Sequence, residues 1–312
     1  MGKSECHECD VIIVGAGAAG LTSALYVQRF GLKAIVLEKF APGGQLTLAN
    51  NIENYPGFPD GISGAELIDR FREHAEKFGA EIEQDTITKV EHGEGDDRWR
   101  LTGGKRDYIA DAVIISTGAR HRPLGVPGEK DFAGRGVSVC ATCDGFFYRG
   151  AEVAVVGGGN VAIDDAIYLA DLAKKVTVIH RRDELRAEPI LQERAFAKET
   201  IEFAWDSVAA SINGDEDVES ITIRNVKTDE TTDIPVTGVF VAIGFIPEVA
   251  LVDGLVDTDD GHILTDGRMQ TSAPGIFAAG DIRQIGLKQI ATAVGDGAMA
   301  ADSAYKYVQM RR

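Results

Sequence analysis

The fold of this 312-residue chain is decided by residues 10–21, DVIIVGAGAAGL. An apolar run typical of a buried strand leads directly into the pattern G-x-G-x-x-G and then into a segment compatible with a helix. In such a turn, Gly15 allows the tight bend, Gly17 lets a pyrophosphate approach the backbone, and Gly20 allows the helix to pack closely on the strand. A second apolar strand ends at Glu38, where a carboxylate can bind the hydroxyl groups of a ribose. The segment therefore predicts a dinucleotide-binding unit.

The same arrangement recurs in the middle of the chain. Residues 152–162, EVAVVGGGNVA, combine a strand with a G-x-G-x-x-A turn. The position that corresponds to the ribose-binding acid holds His180, and Arg181, Arg182 and Arg186 follow it. Guanidinium groups favour a 2′-phosphate, which a carboxylate would repel, so the second unit is predicted to bind NADP(H). The alternative is that Arg181 and Arg182 form a solvated basic pair.

The composition is that of an acidic globular chain. Lys and Arg number 32 against 49 Asp and Glu, a net charge of −17, and 36 residues are glycine. This charge argues against binding to nucleic acid or an anionic membrane surface. The longest uncharged run, residues 11–28, is interrupted by glycines and preceded by Glu5, Glu8 and Asp10, so neither a membrane span nor a signal peptide is expected. We expect a cytoplasmic protein, and the charge leaves open whether the chain is adapted to salt.

Later segments indicate how the two units share the chain. Residues 112–118 and 239–244 are apolar strands that end in glycine, and residues 275–281 are a third segment of this kind. Stretches rich in glycine and proline at 117–128 and 244–247 are typical of linkers.

We therefore predict an α/β protein with two Rossmann-like three-layer dinucleotide-binding domains, the second inserted in the first. Residues 1–118 and 248–312 are expected to form the first domain, and residues 119–247 the second. A chain of this length can give each domain its own core.

The four cysteines form two C-x-x-C pairs, Cys6/Cys9 and Cys140/Cys143. In a reducing compartment such pairs are typical of redox or metal sites, and a Cys₄ zinc site would require the two pairs to meet. The second pair begins a helix-like turn, whose N-terminus can lower the pKa of one thiol. Asp144 either acts as a general acid or base or caps the start of that helix. The first pair is expected to lie in a frayed terminus, with a metal-binding or auxiliary dithiol role as the alternative.

The order of these motifs resembles the low-molecular-weight thioredoxin reductases, the bacterial and archaeal type of FAD- and NADPH-dependent disulfide oxidoreductase. Besides the two glycine turns, the matching segments are GGQL at 43–46, CATCDG at 140–145, HRRDELR at 180–186 and Gly280-Asp281. The resemblance extends from about Asp10 to the C-terminus. The chain departs from the family pattern in the added Cys6/Cys9 pair. It also departs at Asp164-Asp165, which replaces a glutamate pair and is expected to be a neutral change on a helix surface.

The resemblance implies FAD in the first domain and NADPH in the second. The implied FAD contacts are Gly15, Gly17, Ala18, Glu38, Gly44, Gln45, Asn54, Asp281, Gln289 and Ile290. The implied NADPH contacts are Gly159, Asn160, Arg181, Arg182 and Arg186.

The resemblance further implies that electrons pass from NADPH through FAD to the Cys140–Cys143 disulfide. Attack on the disulfide would occur at Cys143, Asp144 would transfer the proton, and Cys140 would become the thiolate that reduces a thioredoxin or a thioredoxin-like protein. A homodimer and a rotation of the NADPH domain are also implied.

Three alternatives are weighed against this interpretation. A ferredoxin–NADP reductase of similar fold would lack Cys140 and Cys143, and an oxygen-using dithiol oxidase would lack the arginine cluster, whereas this chain has both. A non-catalytic, flavin-binding redox sensor would signal through Cys6 and Cys9. Which protein supplies the disulfide, a thioredoxin, a glutaredoxin-like protein or a peroxidase component, stays open.

Overall fold

The computed structural model describes residues 6–49, 52–93, 95 and 97–312, and these form two units. The first unit comprises the described residues up to Arg120 together with Pro247–Arg312, and the second is His121–Ile246.

The strands are β1 (Cys6–Val14), β2 (Ala34–Glu38), β3 (Glu81–Gln84), β4 (Ile87–His92), β5 (Trp99–Gly103), β6 (Asp107–Ile115), β7 (Ala119–His121), β8 (Val137–Ser138), β9 (Glu152–Val156), β10 (Lys175–Ile179), β11 (Ile201–Ala204), β12 (Ser207–Gly214), β13 (Val218–Asn225), β14 (Thr231–Pro235), β15 (Gly238–Val241), β16 (Phe245–Pro247), β17 (Thr258–Asp259), β18 (His262–Ile263) and β19 (Ile276–Ala278). The helices are α1 (Ala18–Arg29), α2 (Gly64–Lys77), α3 (Ala141–Asp144), α4 (Asn160–Ala170), α5 (Pro189–Phe196) and α6 (Ile290–Arg311). Short 3₁₀ segments cover Gly44–Leu48, Gly145–Tyr148 and Ala250–Val252.

The first unit is built on one sheet with the strand order β3-β2-β1-β6-β5-β4, and β19 also pairs with β6. Strands β1, β2, β3, β6 and β19 are parallel, whereas β4 and β5 are antiparallel. Alternate residues of β1 enter two cores: Val11 and Ile13 pack with residues of α1, α2 and α6, while Ile12 and Val14 pack on the opposite face. The continuous apolar run of β1 follows from this, because both faces of the strand are buried.

The second unit has a fully parallel sheet with the order β11-β10-β9-β15-β8. Val153 and Val155 of β9 pack with apolar residues of α4 and α5. Ala154 and Val156 face a second core formed with the antiparallel strands β12, β13 and β14. The predicted α/β fold class is confirmed, and each unit has layers packed on both faces of its sheet.

In both units the strand order brings the predicted ligand-binding segments to one edge. The first glycine turn follows β1, Glu38 ends the neighbouring β2, and Gly280 follows β19. The second glycine turn follows β9, and His180 follows the neighbouring β10. Because the carboxyl ends of parallel strands lie at the same edge of a sheet, each unit gathers its motifs there.

Helix α6 completes the first unit by packing closely on α1. A Cβ atom added at Gly297 would lie 2.3 Å from the carbonyl oxygen of Ala19, so only glycine permits this approach of the two helices. Ser23 strengthens the contact, since its hydroxyl donates to the carbonyl of Gly297 at 3.0 Å. Within the described residues, no helix is long and apolar enough to cross a membrane.

The expectation of a frayed terminus is wrong for residues 6–9. These residues extend β1 and pair in parallel with β6, with Cys6 opposite Asp107 and Cys9 opposite Ala110. Residues three apart in a strand point to opposite faces, and Cys6 is accordingly exposed while Cys9 is buried. The two thiols therefore cannot share a metal or close a disulfide in this strand. Among the described residues there is no group of three or more His, Cys, Asp or Glu suited to a metal ion.

Candidate active site

The first glycine turn leaves open space at the start of α1. Gly15 has a φ of +105°, and a Cβ there would lie 2.4 Å from the carbonyl oxygen of Ser116. A Cβ at Gly20 would lie 1.9 Å from the carbonyl oxygen of Gly15, so the helix can approach the turn only because this residue is glycine. At Gly17, the N-cap of α1, an added Cβ would meet no atom within 4 Å, and no side chain among the described residues caps the helix. The N–H groups of the first helical turn, which begins at the buried Ala18, are thus available to an anion.

Glu38 is held at the end of β2 by two backbone groups. Its carboxylate accepts hydrogen bonds from the N–H of Ala16 at 2.9 Å and from the N–H of Phe40 at 3.1 Å. An open depression beside it is lined by Phe40, Pro42 and Ile82 together with the polar Glu83 and Gln84. The acid is therefore fixed next to the glycine turn and beside a surface suited to a flat apolar group.

Residues from distant parts of the chain meet at the start of α6. Gln289 is the N-cap of this helix and forms a capping box with Thr292, and its Oε1 accepts from Asn54 Nδ2 at 3.0 Å. Gln45 Nε2 donates to the carbonyl of Ala119 at 2.7 Å. The structure thus brings Asn54 together with Gln289 and the adjoining Ile290. Gly44 has a φ of +54° and no atom within 4 Å of an added Cβ.

Asp281 is a partly buried acid directly after Gly280. Burial raises the pKa of its carboxyl, and the nearby charge of Lys288 opposes that rise. Lys288 Nζ lies within hydrogen-bonding distance of His262 Nε2. The turn itself is fixed because the N–H of Gly280 donates to Asp296 Oδ2 at 3.1 Å.

The second glycine turn has the same construction as the first. Gly157 has a φ of +152°, and a Cβ there would lie 2.3 Å from the carbonyl oxygen of Ala242. Gly159 is the N-cap of α4, where no described side chain caps the helix and an added Cβ would meet nothing within 4 Å. The start of α4 is therefore open to an anion in the same way as the start of α1.

Residues 180–188, here called the arginine loop, run beside this second turn. The three arginines at positions 181, 182 and 186 are exposed, and no carboxylate of the described residues pairs with any of them. His180 is only 4% exposed, and its Nε2 has no hydrogen-bond partner among the described residues. Burial lowers the pKa of His180, and the nearby arginine charges lower it further. The loop thus presents exposed guanidinium groups and begins with a buried imidazole.

Asn160 is connected to the far end of the arginine loop. Its Nδ2 donates to Glu188 Oε1 at 2.9 Å, and its Oδ1 accepts from the N–H of Glu188 at 2.8 Å. No sequence motif indicated a role for Glu188, because the contact joins residues 28 positions apart that belong to no shared motif.

Cys140 and Cys143 form a disulfide in the second unit, with an S–S distance of 2.07 Å and Cα atoms 5.3 Å apart. Cys140 is the N-cap of the short helix α3, and its Sγ accepts from the N–H of Cys143 at 3.1 Å. Ser138 fixes the approach, since its Oγ accepts from the N–H of Cys140 at 3.0 Å. Cys140 is 8% exposed, whereas Cys143 is exposed.

The alternative that Asp144 caps the start of this helix is wrong. Cys140 occupies that position, and Asp144 is the last residue of α3, with no capping bond from its side chain. Its carboxylate, partly buried, contributes to raising the pKa of the nearby Tyr148, for which burial is the larger cause. Asp144 is thus free of the structural role that competed with proton transfer.

The expectation that Asp164 and Asp165 both lie on a helix surface is wrong for Asp165. Asp164 is exposed, whereas Asp165 is partly buried on α4. Burial, with a smaller effect from the charge of Asp164, raises the pKa of Asp165 to about 7.

Sequence reasoning also missed a buried ion pair behind the Gly280 turn. Arg283 and Asp296 are joined by two hydrogen bonds, from Nε to Oδ2 at 2.6 Å and from Nη2 to Oδ1 at 3.1 Å. The signal was present, since an aspartate between two glycines on an otherwise apolar helix face is unusual in α6.

Comparison with known proteins gives consistent matches over most of the chain. A family model described as pyridine nucleotide-disulphide oxidoreductase matches residues 9–297. A thioredoxin reductase of Bacillus subtilis is 45% identical over 302 residues, which cover 96% of this chain and 95% of the relative. The solved thioredoxin reductase of Lactococcus lactis has a TM-score of 0.93 at 44% identity and covers 97% of this chain and 99% of its own. That of T. acidophilum has a TM-score of 0.91 at 36% identity, with coverage of 96% and 98%.

Proposed function

The chain belongs to the pyridine nucleotide-disulphide oxidoreductase family, and from this premise we propose that it uses NADPH to reduce a thioredoxin or a thioredoxin-like protein. Electrons pass through FAD and the disulfide formed by Cys140 and Cys143. The observation that carries the proposal is that disulfide, placed at the start of α3 with a backbone N–H directed at one of its sulfurs. A flavin and a nicotinamide nucleotide are the cofactors of this enzyme class, and the two glycine turns supply two places for them.

The first unit fits FAD. Open space in front of Gly17 and the uncapped start of α1 would hold the pyrophosphate, and Glu38 would bind the adenosine ribose. The depression beside Phe40 would take the adenine. Gly15, Gly44, Gln45, Asn54, Asp281, Gln289 and Ile290 complete the proposed contacts. When bound, FAD supplies the two-electron exchange between the nicotinamide and a disulfide.

The second unit fits NADPH. The start of α4 at Gly159 and Asn160 would hold the pyrophosphate, and the arginine loop would bind the 2′-phosphate. The three arginines have no carboxylate partner among the described residues, so their donors are available to a phosphate. A solvated basic pair is disfavoured, because the loop is tied to the glycine turn by the hydrogen bond from the Arg186 N–H to the Gly158 carbonyl.

Reduction of the disulfide breaks the S–S bond, adds two electrons and leaves two thiol groups. We assign the thiolate to Cys140, because the N–H of Cys143 already points at its sulfur and a helix N-terminus favours negative charge. Asp144 would hold or release the accompanying proton, since its carboxylate has no capping bond to break first.

The second half of the reaction is thiol–disulfide exchange. The Cys140 thiolate attacks the disulfide of the partner protein and forms a mixed disulfide, releasing one partner thiol. Cys143 then attacks Cys140 in that mixed disulfide, which restores the internal disulfide and releases the reduced partner. Because Cys140 is only 8% exposed, this step requires that its sulfur become accessible to the partner.

We further propose that the protein acts in the cytoplasm as a homodimer. Cys6 and Cys9 remain free thiols, which suits a reducing compartment. The sensor alternative is disfavoured, because these two cysteines lie on opposite faces of β1.

The test is reduction of a thioredoxin by the purified holoenzyme with NADPH or NADH. The proposal expects faster turnover with NADPH and loss of thioredoxin reduction in Cys140→Ser. This variant should still pass electrons from NADPH to a small artificial acceptor, because that path bypasses the disulfide. Cys6→Ser is the matched control and should keep full activity. Undiminished thioredoxin reduction by Cys140→Ser would overturn the assigned cysteine role, and equal rates with both nucleotides would overturn the arginine assignment.

A further inference from the structure

Two hydrogen bonds join the starts of helices α4 and α5. Asn160 is the first residue of α4, and its amide both donates to and accepts from Glu188. Glu188 is the N-cap of α5, yet its side chain makes no capping bond to that helix. An N-cap side chain usually bonds the second or third N–H of its own helix. In α5 the third N–H, that of Leu191, instead donates to the backbone carbonyl of Glu188 at 3.0 Å, so the carboxylate is not used for capping. The side chain instead reaches back to the second glycine turn.

The arginine loop between these helices touches the glycine turn at two more points, both at Gly158. The N–H of Arg186 donates to the carbonyl of Gly158 at 2.7 Å. The ring of His180 lies against the same residue, since a Cβ added to Gly158 would be 2.3 Å from His180 Nδ1. His180 holds the beginning of the loop, and Arg186 and Glu188 hold its end.

We propose that Glu188 is a positioning residue for nucleotide selection, which acts through Asn160 to hold the arginine loop against the glycine turn. The three exposed guanidinium groups are thereby kept in place before a 2′-phosphate arrives, and less ordering is required when it binds. This inference rests on the proposed NADPH site in the second unit.

A positioning role for Glu188 and the effect of its negative charge predict opposite changes in NADPH affinity. The negative charge of Glu188, two residues after Arg186, opposes the binding of a phosphate to this loop, so the charge alone predicts that removing it strengthens NADPH binding. A positioning role predicts the reverse, because a loosened loop must be ordered again when the nucleotide binds. NADH has no 2′-phosphate and does not use the three arginines, so its affinity should change less than that of NADPH.

The experiment measures dissociation constants of NADP⁺ and NAD⁺ for the oxidised holoenzyme by titration calorimetry. These oxidised nucleotides differ by the same 2′-phosphate as NADPH and NADH, bind without passing hydride to the flavin, and stand for NADPH and NADH in the outcomes below. Glu188→Ala should weaken NADPH binding roughly three- to tenfold, the effect of one lost hydrogen bond, and should weaken NADH binding less. Glu188→Gln keeps an oxygen that can accept from Asn160 and should bind NADPH at least as tightly as the unmodified protein. Glu193→Ala, which removes an exposed glutamate of α5, is the matched control and should have no effect.

Several results would overturn the proposal. Unchanged or tighter NADPH binding in Glu188→Ala would show that charge, not position, decides the role of this residue. Equal weakening of NADPH and NADH would indicate a general structural role, and equal weakening in Glu188→Gln and Glu188→Ala would exclude the hydrogen bond as the cause.

Amide hydrogen exchange without nucleotide separates this proposal from the proposed function. In Glu188→Ala, the amides of position 188 and of Arg186 should exchange faster than in the unmodified protein, whereas Glu193→Ala should leave them unchanged. If the unmodified protein did not prefer NADPH, the proposed nucleotide would be wrong. Faster exchange would then still support the positioning of the loop by Glu188, and unchanged exchange would overturn it.

Discussion

The guanidinium of Arg283 and the carboxylate of Asp296 form a doubly hydrogen-bonded ion pair inside the first unit, with side chains 12% and 9% exposed. The same carboxylate accepts from the N–H of Gly280, and Arg283 also donates to Thr265 Oγ1 at 2.6 Å. The pair therefore connects α6 to the turn that carries Asp281, a proposed FAD contact. The proposed FAD site depends on where this ion pair holds the turn, and not on how much the pair adds to the free energy of unfolding.

Breaking the ion pair between Arg283 and Asp296 should destabilise the folded protein. Asp296→Asn keeps the shape of the side chain but leaves the Arg283 charge buried without a counter-charge, which we expect to lower the free energy of unfolding by about 3–5 kcal/mol. Denaturant titration measures this change, and the ratio of flavin to protein after purification should fall with it. Asp302→Asn, which breaks an exposed pair with Lys306 on the same helix, is the control and should cost at most about 0.5 kcal/mol. Similar small losses in both variants would show that the buried pair has no special part.

Substitutions at two glycines of the first turn should have different effects, one on FAD binding and the other on folding. Gly17→Ala is expected to fold normally, because φ is −80° and the new methyl group meets no protein atom within 4 Å. The methyl group would occupy the space proposed for the pyrophosphate, so FAD binding should weaken by about 1–3 kcal/mol, the cost of forcing an extra methyl group into a close contact. Gly20→Ala should destabilise the protein itself, because its Cβ would lie 1.9 Å from the Gly15 carbonyl. Thermal unfolding of both apoproteins and FAD titration test the pair, and a Gly17→Ala variant that binds FAD normally would refute the assigned pyrophosphate site.

The local motifs could be predicted because the residues that form each of them are adjacent in the sequence. A buried strand, a glycine turn and a helix follow one another without a gap at Gly15 and again at Gly157, so neither needed knowledge of the rest of the chain. The pairing of Cys6 with Asp107 could not be predicted, because the partner strand lies about a hundred residues away and the pattern of residues 6–9 is not apolar. The burial of Asp165 was likewise decided by packing, which the sequence of one helix does not contain.

The two N-terminal cysteines should differ sharply in reactivity. Burial raises the pKa of Cys9 to about 12, so its thiol stays protonated at pH 8, and only the exposed Cys6 is accessible to a reagent. With the Cys140–Cys143 disulfide intact, iodoacetamide should label the native protein once, at Cys6, and the denatured protein at both positions. Peptide mass spectrometry identifies which cysteines are labelled. Labelling of native Cys9, or a Cys6–Cys9 disulfide after treatment with diamide, would contradict the strand arrangement.

Asp165 should make stability depend on pH in a direction opposite to that of most acids. Folding raises its pKa from an ordinary 3.8 to about 7, so between these values the folded protein holds a proton that the unfolded chain has released. The free energy of unfolding therefore falls as pH rises through this range and stays low above it. Asp165→Asn cannot ionise, so its stability relative to the unmodified protein should increase by about 2–3 kcal/mol from pH 5 to pH 8.

Urea unfolding at several pH values measures this difference. Asp164→Asn provides a second check, because removing the neighbouring charge should lower the pKa of Asp165, so that the fall in stability ends at a lower pH and is smaller. Parallel pH profiles for the unmodified protein and Asp165→Asn would show that the carboxyl of Asp165 is solvated like that of an ordinary surface residue. The replacement of a glutamate by Asp165 would then be the neutral change expected from the sequence.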